Sequence, residues 1–150
     1  MRVTVAFARS ETLGGRLIRL GTMSDCNHVA IAVEGRWFEA QFQKGVVETT
    51  QEEFSLAWNL KEEFTVLLPR PEATVEFLQA QLGKKYDWAA VLAMPFRGSW
   101  QWPNRWFCSE LVAAALEAGG FEFAFKPNRV TPRDLLVVLG SSRHSCPLLP

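Results

Sequence analysis

The sequence has few of the features that mark secreted, metal-binding or membrane-spanning proteins. Its 150 residues include three cysteines, Cys26, Cys108 and Cys146. An odd number of cysteines at wide spacings matches neither a disulfide framework nor a paired zinc knuckle. Cys26 and His28 are only two possible ligands, which make a poor zinc site. We therefore expect reduced thiols, no metal and no cofactor.

A surplus of charge is also lacking, as is a long apolar run. Sixteen Lys and Arg residues balance sixteen Asp and Glu residues, and 48% of residues are hydrophobic. This composition argues against disorder and against a nucleic-acid partner. Arg9 and Glu11 interrupt the first apolar run, which does not fit a signal peptide or a membrane span. The length fits one domain over 1–150, and we expect a cytoplasmic location.

Local patterns predict strands and short helices. The strands predicted are 3–8, a hairpin over 27–42 that turns at Glu34-Gly35, 45–50, and a buried strand over 63–69. The helices predicted are 11–22, 50–58, 71–83, 84–94, one from Cys108 to the stop signal Gly119-Gly120, and 131–140. Residues 95–106 form a predicted loop, and the tail after Gly140 has no clear pattern. The fold class expected is α+β, a small antiparallel sheet packed against helices.

Cys108 opens the predicted helix CSELVAAALEAGG. The free N–H groups and the partial positive charge of a helix N-terminus stabilise a thiolate, so this position predicts a lowered thiol pKa. Leu111, Val112 and Leu116 form an apolar stripe that would hold the first turn in place. We expect Cys108 to be the most reactive of the three thiols and a nucleophile.

A nucleophilic cysteine needs a base, and the sequence contains only His28 and His144. His144 lies in the polar tail SSRHSCPLLP, where little would fix it. In HVAIAV, strand alternation places His28, Ala30 and Ala32 on one face. Small side chains beside an imidazole let another element approach, and the Cys108 helix is the expected one.

A two-residue turn at Glu34-Gly35 sets the register of the hairpin. Ala30 would then pair with Glu39, and His28 would pair with Gln41. Glu39 shares the face of His28 and could hold the imidazole tautomer, the third-member role in a nucleophile–base–orienter arrangement. One bulge would exchange Glu39 and Gln41, so both are candidates.

These residues resemble, in their order, a known family: the circularly permuted NlpC-type papain-like cysteine hydrolases, which include YiiX-like enzymes and are related to lecithin:retinol acyltransferases. NHVAIAV, WFEA, GKKYDW and WFCSELV match the successive blocks of the family over about residues 13–136. The resemblance implies a permuted papain-like fold, with Cys108 as nucleophile, His28 as base and Glu39 as polar third member. Tyr86 matches a tyrosine near the site and is an oxyanion candidate, or a packing residue. Glu110 has a structural role.

The expected function is a cysteine peptidase or amidase that cleaves an amide or ester through a thioester. The alternatives are an acyltransferase and a silent module that binds a peptide or lipid through the tryptophan-rich loop. Trp100, Trp102 and Trp106 of that loop would line a substrate groove or pack the core. Nearby arginines also make contact with a membrane surface an option.

Overall fold

The computed structural model describes residues 1–11, 15–16, 20, 25–87, 89, 104–124 and 130–142. The strands of this part are β1 (Val3–Arg9), β2 (His28–Val33), β3 (Arg36–Gln41), β4 (Gly45–Thr49), β5 (Asn59–Val66), β6 (Lys85–Tyr86) and β7 (Arg105–Trp106). The helices are α1 (Gln51–Ala57), α2 (Pro71–Gln81), α3 (Cys108–Ala118) and α4 (Pro132–Ser142). The α+β class is confirmed.

Five strands form an antiparallel sheet in the order β4-β3-β2-β1-β5. The predicted hairpin is confirmed: Val33 pairs with Arg36 and Ala30 pairs with Glu39. Both turn residues have positive φ, 50° at Glu34 and 82° at Gly35. Such a turn matches the right-handed twist of its strands, which is why Glu-Gly sets the register here.

The strand predicted over 63–69 exists, but its bounds and its burial differ from the prediction. β5 begins earlier, ends at Val66 and lies at the edge of the sheet, where only Phe64 and Val66 are buried. The rest of β5 is exposed and includes the charged residues Lys61, Glu62 and Glu63. Charged residues are tolerated at the edge of a sheet.

The helix predicted over 84–94 is wrong at its start. Lys85 and Tyr86 form β6, which pairs in parallel with β7 of the predicted 95–106 loop. Of the rest of this segment the structure describes only Lys84, Asp87 and Ala89. Most of the helix predicted over 11–22 also lies outside the described residues. The last helix continues to Ser142, two residues beyond its predicted end.

The two faces of the sheet carry different side chains. Val29, Ile31 and Val33 of β2 belong to a large apolar cluster that includes Cys108, Leu111 and other residues of α3 and α4. The opposite face carries small residues under two aromatic rings: Ala6, Ala8, Ala30, Ala32, Trp37 and Phe54. The large cluster is the core, and the small-residue face holds the site described below.

The start of α3 is fixed from several sides. The Ser109 hydroxyl donates to the carbonyl of Val130, and the Glu110 carboxylate accepts from the Phe107 N–H at 3.4 Å. Both side chains are buried. Glu110 thus has the structural contact expected of it, and the first turn of α3 has a defined position against the sheet.

A tight contact places Tyr86 next to this turn. The Val46 N–H donates to the Lys84 carbonyl at 2.8 Å, and the Gly83 N–H donates to the Val46 carbonyl at 2.9 Å. Gly45 has φ +74°, and a Cβ there would lie 2.2 Å from the Lys84 oxygen. Only glycine fits this approach of β4 to the segment that leads into β6. Within the described ranges, no helix is long and apolar enough to cross a membrane.

Candidate functional site

The site is centred on a buried pair of side chains from the hairpin. His28 Nε2 lies 2.6 Å from Oε2 of Glu39, and the two side chains are 4% and 1% exposed. His28 is the first residue of β2, and Glu39 lies on β3 opposite Ala30. The predicted neighbourhood of His28 and Glu39 on one face of the hairpin is confirmed. Because burial strengthens the bond, the imidazole is held firmly against the carboxylate.

Glu39 accepts hydrogen bonds from four side chains. Its Oε2 accepts from His28 and from Trp58 Nε1 at 3.0 Å. Its Oε1 accepts from Gln41 Nε2 at 2.9 Å and from the Thr49 hydroxyl at 3.4 Å. Four donors fill the lone-pair sites of an ionised carboxylate. An ionised carboxylate can only accept hydrogen bonds, so the ring nitrogen that faces Glu39 carries a proton, and Nδ1 carries the lone pair when the ring is neutral.

The pKa of Glu39 reflects two opposed effects. Burial is the largest single influence and raises the pKa, while hydrogen bonds from His28, Gln41 and Trp58 and the charge of His28 lower it. The donors together outweigh burial, so the pKa of Glu39 lies below its usual value of 4.5. Glu39 is a carboxylate at neutral pH.

The contacts decide between Glu39 and Gln41 as the residue on the imidazole. Gln41 is half-buried and donates to Glu39 rather than to His28. Gln41 therefore supports the carboxylate from its other oxygen. No bulge interrupts the described register of β2 and β3 at Ala30.

Sequence reasoning missed Trp58, whose side chain covers the His28 ring. Its indole stacks on the His28 ring with centroids 3.7 Å apart and planes 8° apart. It follows α1, whose Phe54 carbonyl accepts the Trp58 backbone N–H at 2.9 Å. The threonine cap and acidic first turn of α1 were readable signals, but nothing local indicates that the residue after this helix reaches the hairpin.

The element that covers the small-residue face is α1, and the expectation that the Cys108 helix does so is wrong. Cys108 belongs to the large cluster on the other face, with Val29 and Ile31. The backbone N–H groups of Val29 and Ser109 lie near enough to its sulfur to lower the thiol pKa. The thiol thus lies beside the peptide bond that joins His28 to Val29. Within the described residues, no hydrogen bond links the thiol to the imidazole.

The thiol pKa differs from the prediction. Cys108 is completely buried, and burial raises its pKa to about 12. Backbone N–H groups at the helix start lower the pKa, as expected of that position, but by less than burial raises it. Burial also raises the pKa of Cys26. The helix N-terminus alone therefore does not keep Cys108 ionised at neutral pH.

Tyr86 lies near the thiol, as the resemblance implies. Burial raises its pKa well above the ordinary value, and the nearby Cys108, Glu110 and Asp87 raise it further. Its ring meets Phe107 edge-on, with centroids 5.8 Å apart. Tyr86 is thus a neutral phenol that can donate a hydrogen bond. Burial and Asp87 also raise the pKa of Glu110, to about 7, although the Phe107 N–H lowers it.

Trp106 packs against α2. Its Nε1 donates to Gln81 at 3.1 Å, and its ring meets Phe77 edge-on at 5.7 Å. For this tryptophan the contacts favour packing over a role in a substrate groove. Trp100, Trp102, His144 and Cys146 lie outside the described residues. In the ranges that the structure describes, no three His, Cys, Asp or Glu side chains form a metal-binding group.

The fold and this site together define an α+β protein with a buried His–Glu pair on one face of its sheet and a buried cysteine at a helix start on the other. Compared with known proteins, the chain matches no protein-family model and no curated sequence.

Proposed function

We propose that this protein is a cysteine-dependent amide or ester hydrolase that works through a thioester on Cys108. The observation that carries the proposal is the buried 2.6 Å bond between His28 and Glu39. The Cys108 sulfur packs in the core with Val29, the residue that follows His28. A carboxylate that fixes the tautomer of a histidine is the orienting half of a nucleophile–base–orienter arrangement, and Cys108, on the other face of the sheet, is the thiol that this base would serve. The permuted papain-like fold suggested by the sequence belongs to the same proposal.

In the first step His28 Nδ1 takes the thiol proton, and Sγ of Cys108 attacks the acyl carbon. Glu39 stabilises the imidazolium that forms. Backbone N–H groups at the start of α3 and the Tyr86 hydroxyl donate to the oxyanion. His28 returns the proton to the leaving amine or alcohol. Water then adds to the thioester, releases the acid and restores the thiol.

The high thiol pKa bears on how the first step occurs. With a pKa of about 12, Cys108 is a thiol at neutral pH, so the proton must transfer during attack and not before it. The sulfur is also fully buried and lies on the other face of the sheet from the His28 ring, so the proposed proton transfer requires that substrate entry expose the thiol and bring the two groups together. The reaction thus depends on His28 as a general base.

The test is to incubate the protein with a short-chain p-nitrophenyl ester and to locate the acyl group by intact mass and peptide mapping. We expect one acyl group on Cys108. Cys26→Ala should acylate normally and Cys108→Ala not at all, while His28→Asn should slow acylation by roughly a hundredfold, since a general base contributes at least that much. Acylation of lysines or of Cys26 instead would contradict the proposal.

The fate of the acyl group separates a hydrolase from an acyltransferase. The acylated protein is transferred to buffer alone, or to buffer with a long-chain alcohol or an amine as acceptor. Release of free acid at the same rate in both supports hydrolysis. Faster loss with formation of the new ester or amide supports the transferase alternative.

A second candidate is a module that binds a peptide or lipid without turnover. The complete burial of Cys108 and its raised pKa favour this alternative, because a binding module needs no reactive thiol. A folded protein that forms no acyl adduct, even with the activated ester at high concentration, would support this candidate and overturn the hydrolase proposal.

A further inference from the structure

Trp58 contacts both members of the His–Glu pair. The indole lies flat on the imidazole at 3.7 Å, and its N–H donates to the same Glu39 oxygen that binds His28. An indole that stacks on the imidazole and also donates a hydrogen bond to the carboxylate restricts the orientation of both groups more than packing alone would. Trp37, by contrast, stacks on Phe54 at 4.7 Å, and in the part of the chain that the structure describes no hydrogen bond joins it to the carboxylate.

We propose that Trp58 is a positioning residue that holds the His28 ring in one orientation and one tautomer through the shared Glu39 oxygen. The proposal deepens the proposed function and rests on it where turnover is concerned. A flat ring at 3.7 Å leaves no room for the imidazole to turn out of its plane. The indole N–H occupies the second acceptor position on Oε2, so the carboxylate cannot rotate away from the histidine.

Trp58 also acts on the charged state of the ring. An indole face beside a cation is attractive, and the attraction is larger where water is excluded. His28 becomes a cation when it takes the thiol proton, so the stacked indole stabilises the state that forms during attack. This contribution should appear in kcat and not in KM.

The experiment compares Trp58→Leu, Trp58→Phe and the matched control Trp37→Phe, all with His144→Gln so that one histidine remains. The first readout is the pair of imidazole ¹⁵N resonances of the neutral ring. In the unchanged protein we expect a protonated Nε2 and an unprotonated Nδ1, well separated in shift. Trp58→Leu should bring the two resonances together as tautomers average, Trp58→Phe should do so partly, and Trp37→Phe should not.

The second readout is turnover of the p-nitrophenyl ester, with thermal unfolding measured beside it. Trp58→Leu should lower kcat roughly tenfold with KM within about twofold, similar to the effect of removing an outer partner of a metal-ligating histidine. Unchanged ¹⁵N shifts in Trp58→Leu would overturn the inference, and so would a kcat loss shared by Trp37→Phe. If Trp58→Leu does not fold, Trp58→Phe decides by the same comparison.

The two proposals fail separately. If the unchanged protein forms no acyl adduct, the proposed function fails, while the ¹⁵N comparison still shows whether Trp58 fixes the ring. If the adduct forms and the tautomer is the same in all variants, only the role of Trp58 fails.

Discussion

Glu39 is the residue on which the site depends most, because four donors, the imidazole among them, meet at its carboxylate. A buried carboxylate of this kind is stable only while its donors are present. Its pKa is lowered by His28, Gln41 and Trp58 against the effect of burial. The charge of Glu39 therefore contributes to the stability of the fold as well as to the proposed chemistry.

Replacement of Glu39 by Gln should lower the free energy of unfolding by about 2 kcal/mol at neutral pH, since hydrogen bonds to a charged group are lost. Because the folded-state pKa is below the ordinary 4.5, the carboxylate contributes stability above pH 4.5. This contribution disappears as the pH falls through the folded-state value. Urea unfolding at neutral pH and at several values below 4.5 measures the difference.

The control for this prediction is Glu76→Gln, at an exposed position of α2, which should change stability by less than about 0.5 kcal/mol at either pH. A gap between the Glu39→Gln variant and the unchanged protein that stays constant into acid would show that the bonds do not depend on ionisation.

At the scale of elements, the position of Tyr86 depends on the contact between β4 and the chain that enters β6. Gly45 and Gly35 both have positive φ, 74° and 82°, but only Gly45 faces a neighbouring carbonyl, that of Lys84. The two glycines therefore form a matched pair that separates backbone strain from close approach.

Both Gly35→Ala and Gly45→Ala should destabilise the protein, by about 1 kcal/mol for the strain of a left-handed residue. Gly45→Ala should cost clearly more, because its Cβ would lie 2.2 Å from the Lys84 oxygen and β6 would have to move. Thermal unfolding gives the stability, and amide exchange at Val46 reports the bond to Lys84. Equal losses in the two variants would mean that the approach is not tight.

At the scale of the whole molecule, one apolar cluster joins the sheet to α3 and α4. Leu111 is fully buried in that cluster, while Leu67 is 88% exposed after β5. Leu111→Ala should therefore lower stability by about 3 kcal/mol, through the lost burial and the cavity left behind. Leu67→Ala should change stability by less than about 0.5 kcal/mol.

Chemical unfolding followed by tryptophan fluorescence and by circular dichroism measures both leucine variants. We expect coincident transitions, because the strands and helices share the cluster. A loss of helix signal at lower denaturant than the sheet signal in Leu111→Ala would mean that α3 is not part of one cooperative unit.

Local chemistry was sufficient to predict the hairpin, its register and the placement of Glu39 on the face of His28, while the choice between Glu39 and Gln41 came from the contacts. The turn and the alternation of side chains act between neighbours in the chain, so eleven residues of separation are bridged by one turn. The start of α3 at Cys108 and of α2 at Pro71 followed from equally local signals.

Other features depend on contacts between distant parts of the chain. β5 reads as a buried strand, yet it lies at an edge, because strand order is set by packing and not by propensity. The thiol pKa is raised because tertiary burial outweighs the helix N-terminus. Trp58 contacts the imidazole only because α1 packs over the hairpin of β2 and β3. No local sequence pattern predicts this contact between separate elements. The sequence alone determined the candidate residues His28, Glu39 and Cys108 and the elements that hold them. The tertiary structure decided which of these residues share a face of the sheet, since packing between distant elements sets that arrangement.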